Sequence, residues 1–289
     1  MYRMLIGAAL AAMSTSAFAA DYVQQEPVSA PHISGHVEAY LGGLWLHASD
    51  PFGGGGESED GWTAGGAGRI NFPLNERWNI QTDAIVDSAW IDGENVYGYG
   101  GAVHAYWRDP SRFAVGGFAT YTRYGGDGID DFDPYSYTVG PEAQVYFGNV
   151  TLYGQAYYGQ LENYFGDTSG DLWGVRAVLR YYAQPDIRLD AELGYQKLDL
   201  GGGGAFIVPN VKTFSAAAQV TYRFAGTPWS VFGRYQFEHA TENFGPLSSK
   251  ADIHKFVVGL RLNFGTGTLI DEDRNGATMD TVRPSAILY

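Results

Sequence analysis

The sequence predicts an all-β chain, a transmembrane antiparallel up-and-down β-barrel of about 12 strands, and three observations carry that prediction. Polar and apolar residues alternate at period two from about Ser34 to Phe264. Short turns and long, Gly- and acid-rich loops take turns between the alternating segments. Charges inside the segments keep to one of the two parities.

The elements follow in order. Arg3, the apolar run Met4 to Met13 and the small-x-small site Ala17-Phe18-Ala19 make residues 1–19 a secretory signal peptide. Its apolar run is too short to span a bilayer. Removing it takes away one positive charge, so a formal net charge of −14 becomes −15. After the segment 20–33, strands are expected near 34–47, 62–72, 78–90, 97–108, 112–123, 135–147, 150–163, 172–182, 187–198, 211–224, 229–240 and 253–264. Segment 62–72 shows the pattern, with Trp62, Ala64, Gly66, Gly68, Ile70 and Phe72 on one face and Thr63, Gly65, Ala67, Arg69 and Asn71 on the other. Short turns fall at 73–77, 109–111, 148–149, 183–186 and 225–228. Long loops fall at 49–61, 91–96, 125–134, 165–171, 199–210 and 241–252. An even strand number with turns on one side and loops on the other describes a membrane barrel.

Composition removes the competing classes. Beyond the N-terminus no run approaches the ~18 apolar residues of a spanning helix. The absence of cysteine excludes a disulfide scaffold and a thiolate zinc site. An aromatic content of 15% argues against disorder, and the acidic balance argues against nucleic acid as a partner.

Charge parity separates a membrane barrel from a soluble sandwich. Glu38, Arg69, Asp83, Asp87, Arg108, Arg112, Glu142, Arg176, Arg180, Arg188, Asp190, Glu192, Arg223, Arg234, Glu238, Lys255 and Arg261 all fall on the polar face. The other face carries no charge until the rims, at Arg123 and Lys197. A lipid-facing Arg or Lys at mid-bilayer costs about 2–4 kcal/mol, which enforces such sorting. A sandwich would place its charges on the outer, wet face instead. Aromatic residues of the apolar parity form two belts. Phe72, Trp78, Trp107, Phe113, Phe147, Tyr181, Phe224, Trp229 and Phe264 lie beside the short turns; Trp45, Trp62, Tyr97, Tyr121, Tyr135, Trp173, Tyr195 and Phe237 lie beside the long loops.

Residues 34–264 resemble the single-chain outer-membrane β-barrel proteins of Gram-negative bacteria, including the porins. The last strand, Phe256-Val-Val-Gly-Leu-Arg-Leu-Asn-Phe264, is similar to the segment by which that group engages the barrel-assembly machinery. In the group the final aromatic commonly ends the chain, whereas here 25 residues follow Phe264. The resemblance implies a bacterial outer-membrane location, outer-membrane lipid and lipopolysaccharide as surroundings, and periplasmic short turns and termini. Segment 20–33 is then a periplasmic N-terminal segment, and 265–289 a C-terminal periplasmic tail.

Function is sought in the lumen. The expected pore-lining residues are Arg69, Asp83, Arg108, Arg112, Glu142, Arg176, Arg180, Arg188, Glu192, Arg223, Arg234 and Arg261. Nine inward arginines and Lys255 face seven carboxylates, an excess of about +3, concentrated near the short turns. A basic ring in a narrow pore favours anions, so the expected function is a passive, porin-like channel for small, possibly anionic, solutes. Cross-bracing Arg–carboxylate pairs would instead close the barrel and leave a structural or surface-recognition role. A rim hydrolase acting on lipid or lipopolysaccharide is the third class. His47, His239 and His254 are its candidates, with Glu242 and Ser248-Ser249 nearby, but His239 and His254 carry the outward parity and no catalytic motif is matched. No enzyme, cofactor or resident metal is expected. Two fragments resemble calcium motifs, Gly125–Asp133 and the tail run Asp271-x-Asp273-x-Asn275-Gly276. The first occurs in a single copy, and the second has Val282 where a bidentate carboxylate belongs.

Overall fold

The computed structural model describes residues 32–49, 56–127, 133–164, 169–200, 210–244 and 247–282. Twelve antiparallel strands close on themselves, each paired with its sequence neighbours and β1 with β12. They are β1 Ser34–Ser49, β2 Glu57–Pro73, β3 Trp78–Ile91, β4 Glu94–Asp109, β5 Phe113–Gly126, β6 Tyr135–Phe147, β7 Val150–Glu162, β8 Gly170–Gln184, β9 Ile187–Leu200, β10 Asn210–Arg223, β11 Trp229–Phe244 and β12 Leu247–Phe264. Closure removes the edge hydrogen bonds that hydrocarbon could not satisfy.

Each expected strand is present, but several run further at the long-loop end. β2 starts at Glu57 and β12 at Leu247, and the register carries on through Ala48↔Glu57 and Ser49↔Lys250. Above the aromatic belt the wall stands in water, so its outer face needs no apolar residues. Backbone pairing continues there although the alternation signal has stopped.

The parity reading holds around the wall. Val37, Leu41, Trp45, Val103, Val139, Phe147, Leu193 and Leu260 are exposed on the outer surface. Glu38, Arg108, Arg180 and Arg261 face the interior. Arg112 is a correction: it lies in the β4–β5 turn, where it is exposed. The short turn ends one residue later than the alternation suggested, so its side chain never reaches the lumen.

Twelve strands spaced about 4.8 Å apart and tilted by about 40° enclose a cylinder roughly 24 Å across between backbones. Side chains on opposite walls leave a central space comparable to the ~10–12 Å diameter of a helix. That space is occupied by the chain itself. After Phe264 the backbone reverses at Gly265, whose φ of +79° suits glycine. A short helix, α1, spans Leu269–Asn275 and is capped by the Thr268 hydroxyl, which accepts from the Asp271 N–H at 3.1 Å. Residues 276–282 then rise through the lumen away from the short turns. The expectation of a periplasmic tail is therefore corrected for 265–282. Residues 283–289, and the signal peptide at 1–19, lie outside the described residues.

Candidate functional site

The site is the lumen with its own C-terminal segment inside it. Leu269, Ala277, Met279 and Val282 are almost fully buried there. Met279 packs among Tyr106, Ala114, Tyr146, Tyr153 and Val178. Val282 joins a cluster that includes Phe118, Tyr157, Leu161, Leu172, Leu198 and Val211 on the wall.

Polar contacts fix the segment at every level. At the short-turn mouth, Arg274 donates to the Gly148 carbonyl at 3.0 Å and lies 4.1 Å from the Tyr146 ring centroid, a cation–π contact. Glu272 bonds His36 Nδ1 at 2.6 Å. Arg223 donates to the Thr266 carbonyl at 2.8 Å, and Arg108 donates at 2.7 Å to the carbonyls of both Asn275 and Gly276. One turn higher, Arg180 donates to Asp273 at 2.6 Å and to Asp280 at 2.7 Å. Asp280 also meets Arg69 at 3.2 Å and Arg176 at 3.4 Å. Three guanidinium groups from β2 and β8 thus converge on one carboxylate of the tail.

Neutral groups satisfy the exposed backbone of the segment. Gln81 donates to the Met279 carbonyl at 2.7 Å, and its side-chain oxygen accepts the Met279 N–H at 3.1 Å. Gln144 donates to the Thr278 hydroxyl at 2.9 Å, Gln155 to the Asp280 carbonyl at 2.7 Å, and the Thr281 hydroxyl to Asp83 at 2.6 Å. An extended strand without a sheet partner needs side-chain partners of this kind.

Eleven of the twelve expected pore residues line the interior, and their partners are now defined. Arg69 pairs with Asp83 at 3.1 Å, Arg176 with Glu192 at 2.7 Å, Arg188 with Asp190 at 3.0 Å, Arg234 with Glu192 at 3.1 Å and Arg261 with Glu38 at 2.7 Å. Glu142 bonds His104 at 2.9 Å and accepts from Tyr153 at 2.7 Å. Without Arg112, eight inward arginines and Lys255 face seven wall carboxylates. The tail brings Asp271, Glu272, Asp273 and Asp280 against Arg274, a net −3 that offsets the excess of +2, so with its histidines neutral the filled lumen lies close to neutrality. The sequence reading found the arginines but not the groups that complete their site, namely His36, His104, Gln81, Gln144 and the tail itself. Inward parity marks all four wall residues. The signal for the tail was its four carboxylates, Asp271, Glu272, Asp273 and Asp280, opposite in sign to the lumen.

Above Asp280 the lumen opens into a cavity of about 250 Å³. Its floor holds Arg176, Arg188, Arg261 and Asp280, and Leu44, Ile91, Val96 and Leu172 stand on its upper walls.

Among the described residues the rim histidines have these partners. His239 bonds Asp252 at 2.6 Å and His254 bonds the Tyr235 hydroxyl at 2.7 Å, whereas the Ser249 hydroxyl donates to the Ser49 carbonyl at 2.8 Å. His47 bonds the Ser58 hydroxyl at 2.8 Å. In the tail fragment that resembles a calcium loop, Asp273 is turned toward Arg180, and Asp271 accepts from the Gly267 N–H and from Asn275. Among the described residues no cluster of His, Asp and Glu is arranged to hold a metal ion. Much of the 125–134 loop lies outside them.

Comparison with known proteins adds the wider context. No family model matches the sequence. No curated protein matches it either. Solved structures do match: an outer-membrane channel from Pseudomonas putida F1 superposes with a TM-score of 0.55 at 12% identity, over 84% of this chain and 100% of the other. The fold is that of the Gram-negative outer-membrane β-barrels. The translocator domain of the autotransporter NalP from Neisseria meningitidis gives 0.52 at 14% identity, over 90% of this chain and 95% of the other. The β domain of the Bordetella autotransporter BrkA gives 0.50 at 12% identity, over 81% and 100%. Location in the outer membrane agrees with the apolar outer wall and its two aromatic belts.

Proposed function

We propose that this protein is an outer-membrane channel for small solutes that its own C-terminal segment holds shut. The observation that carries the reading is the placement of 266–282 inside the lumen, with Arg69, Arg108, Arg176, Arg180 and Arg223 turned onto Asp273, Asp280 and the tail carbonyls. A wall built only as a strut would be braced across its own strands. Here Arg234 and Arg261 brace the wall, whereas Arg108 and Arg180 reach a segment that, among the described residues, is continuous with the wall only at Phe264. The arginine ring that would give an open pore its anion preference is neutralised while the tail is docked, so anion selectivity belongs to the open state. The cavity above Asp280 is then the vestibule on the loop side, and the short turns with α1 form the periplasmic gate.

The test is planar-bilayer recording of the refolded full chain beside a chain ending at Phe264. The full chain should be closed with rare openings, and the shortened chain should conduct steadily with a preference for anions. Equal conductance in both would remove the gating role of the tail. Silence in both, with folding verified by heat-dependent gel mobility, would favour the permanently closed structural or surface-recognition barrel. The proposed function includes no chemistry at the rim, and lipid A mass spectra should be the same with and without the protein.

A further inference from the structure

Inward residues change character along the barrel. Gln81, Arg108, Gln144 and Arg180 surround the docked segment. At the long-loop end, Leu44 and Leu46 of β1, Ile91 of β3 and Val96 of β4 line the cavity above Asp280 instead. Leu44 pairs with Gly61 and Gly61 with Ile91 in one hydrogen-bonded row, and Ala89 pairs with Val96 beside them. On the other side of Leu44 the same row reaches Lys255 of β12 and then Gln236 of β11. One part of the cavity wall is therefore aliphatic, and a strip of charged and amide side chains borders it. Leu46, Ile91 and Val96 are only half-buried, and an accessible apolar face inside a cavity marks a place for an apolar partner.

The charged groups of the cavity are not all matched. Glu38, Asp83, Asp190, Glu192 and Asp280 each meet a guanidinium, and Asp87 accepts from the Tyr40 hydroxyl. Among the described residues no ion pair engages Lys255 or Glu238, both of which line the cavity. Glu238 is only 4% exposed, and it accepts from the Gln236 amide. Gln236 pairs with Lys255 and Glu238 with Ile253, so Lys255 and Glu238 hold diagonal positions on adjacent strands. Diagonal neighbours lie about 7 Å apart at Cβ, within reach of one small molecule. A buried carboxylate without a cation is costly, and so is an ammonium set among Leu44, Ile253 and Val257 without an anion.

We propose that this cavity binds an α-amino acid with an apolar side chain. The ligand's ammonium meets Glu238 and its carboxylate meets Lys255, groups whose N and C atoms are two bonds, about 2.5 Å, apart. Its side chain lies against Leu44, Leu46 and Ile91. A zwitterion answers both unmatched charges at once and adds no net charge to a lumen already close to neutrality. An anion or a cation alone would leave one of the two groups unanswered. The aliphatic wall selects an apolar side chain, because a polar one would lose its water there without gaining a partner. Passage of such a molecule through the barrel rests on the channel reading; its binding does not.

Isothermal titration calorimetry of the folded full chain in phosphatidylcholine nanodiscs, with L-leucine as the probe, tests the proposal. L-leucine should bind, and analogues that each lack one recognised part should bind at least about tenfold more weakly. 4-Methylpentanoate lacks the ammonium, isopentylamine lacks the carboxylate and glycine lacks the side chain. Lys255→Gln should weaken L-leucine by about 10- to 100-fold and leave isopentylamine binding undiminished. Glu238→Gln should weaken L-leucine by a similar factor and leave 4-methylpentanoate binding undiminished. A merely structural role for either residue would move all the ligands together. Heat-dependent gel mobility verifies folding, and if a variant fails to fold, the analogue series on the natural protein still decides. Absence of L-leucine binding at millimolar concentration, equal binding of L-leucine and its analogues, or parallel loss of every ligand in both variants would overturn the site. None of these outcomes bears on conductance, so the channel reading stands or falls separately.

Discussion

Asp280→Asn is the sharpest test of the docked tail. Asp280 is the one tail carboxylate on which Arg69, Arg176 and Arg180 converge, at 3.2, 3.4 and 2.7 Å. The amide keeps the shape of the side chain and removes its charge. Breaking one partner of a buried ion pair costs about 3–5 kcal/mol, but the Asp280 side chain is 24% exposed toward the cavity. Arg69 and Arg176 also keep Asp83 and Glu192. A loss of about 2–3 kcal/mol of docking free energy is therefore expected, one decade in equilibrium per about 1.4 kcal/mol. The ratio of open to closed time in planar-bilayer recordings should rise by about 30- to 150-fold. The open state should prefer anions more strongly than the wild-type open state, because the released tail carries one carboxylate fewer. The wall keeps its full set of strand pairs, so heat-dependent gel mobility should not change. Wild-type gating in a folded Asp280→Asn protein would refute the argument that this carboxylate holds the tail.

Other substitutions probe separate parts of the reasoning. Arg180→Gln removes the bonds to both Asp273 and Asp280 and should open the channel at least as much as Asp280→Asn, whereas Arg112→Gln in the exposed turn should stay within about 0.5 kcal/mol in stability and leave conductance unchanged. His104→Phe keeps an aromatic ring but removes the imidazole nitrogen that bonds Glu142 at 2.9 Å, a cost of about 1–3 kcal/mol that should appear as a lower urea midpoint. A Cβ at Gly159 would stand 1.8 Å from the Tyr137 carbonyl oxygen, while one at Gly233 meets nothing within 4 Å. Gly159→Ala should sharply reduce the folded fraction after refolding and Gly233→Ala should not; equal yields would show that the wall yields there.

The wall was legible in the sequence for a plain physical reason. Hydrocarbon outside and water or polar groups inside impose opposite demands on successive residues, so each strand from Ser34 to Phe264 carries its orientation in every pair of positions. The lipid side tolerates no charge, which is why parity located Arg69, Arg180, Arg223 and Arg261 correctly. The rule weakens where the environment stops being two-sided. Beyond the upper belt, β2 and β12 continue through Glu57 and Lys250 without alternation. In the β4–β5 turn, parity assigned Arg112 to a lumen it does not reach.

What the tertiary structure alone decided is the state of the lumen. Local sequence describes 265–282 as a polar, charged stretch, which reads as a tail in solution. Its place depends on contacts spanning more than 100 residues, such as Thr278 with Gln144 and Asp280 with Arg69. Only barrel closure brings Arg69, Arg176 and Arg180 around one point. Gathered there without a counter-charge they would repel one another in a confined space, and the tail's carboxylates remove that repulsion. The sequence by itself determined a membrane barrel with a basic interior; closure of the twelve strands determined that the interior is filled, and by which residues.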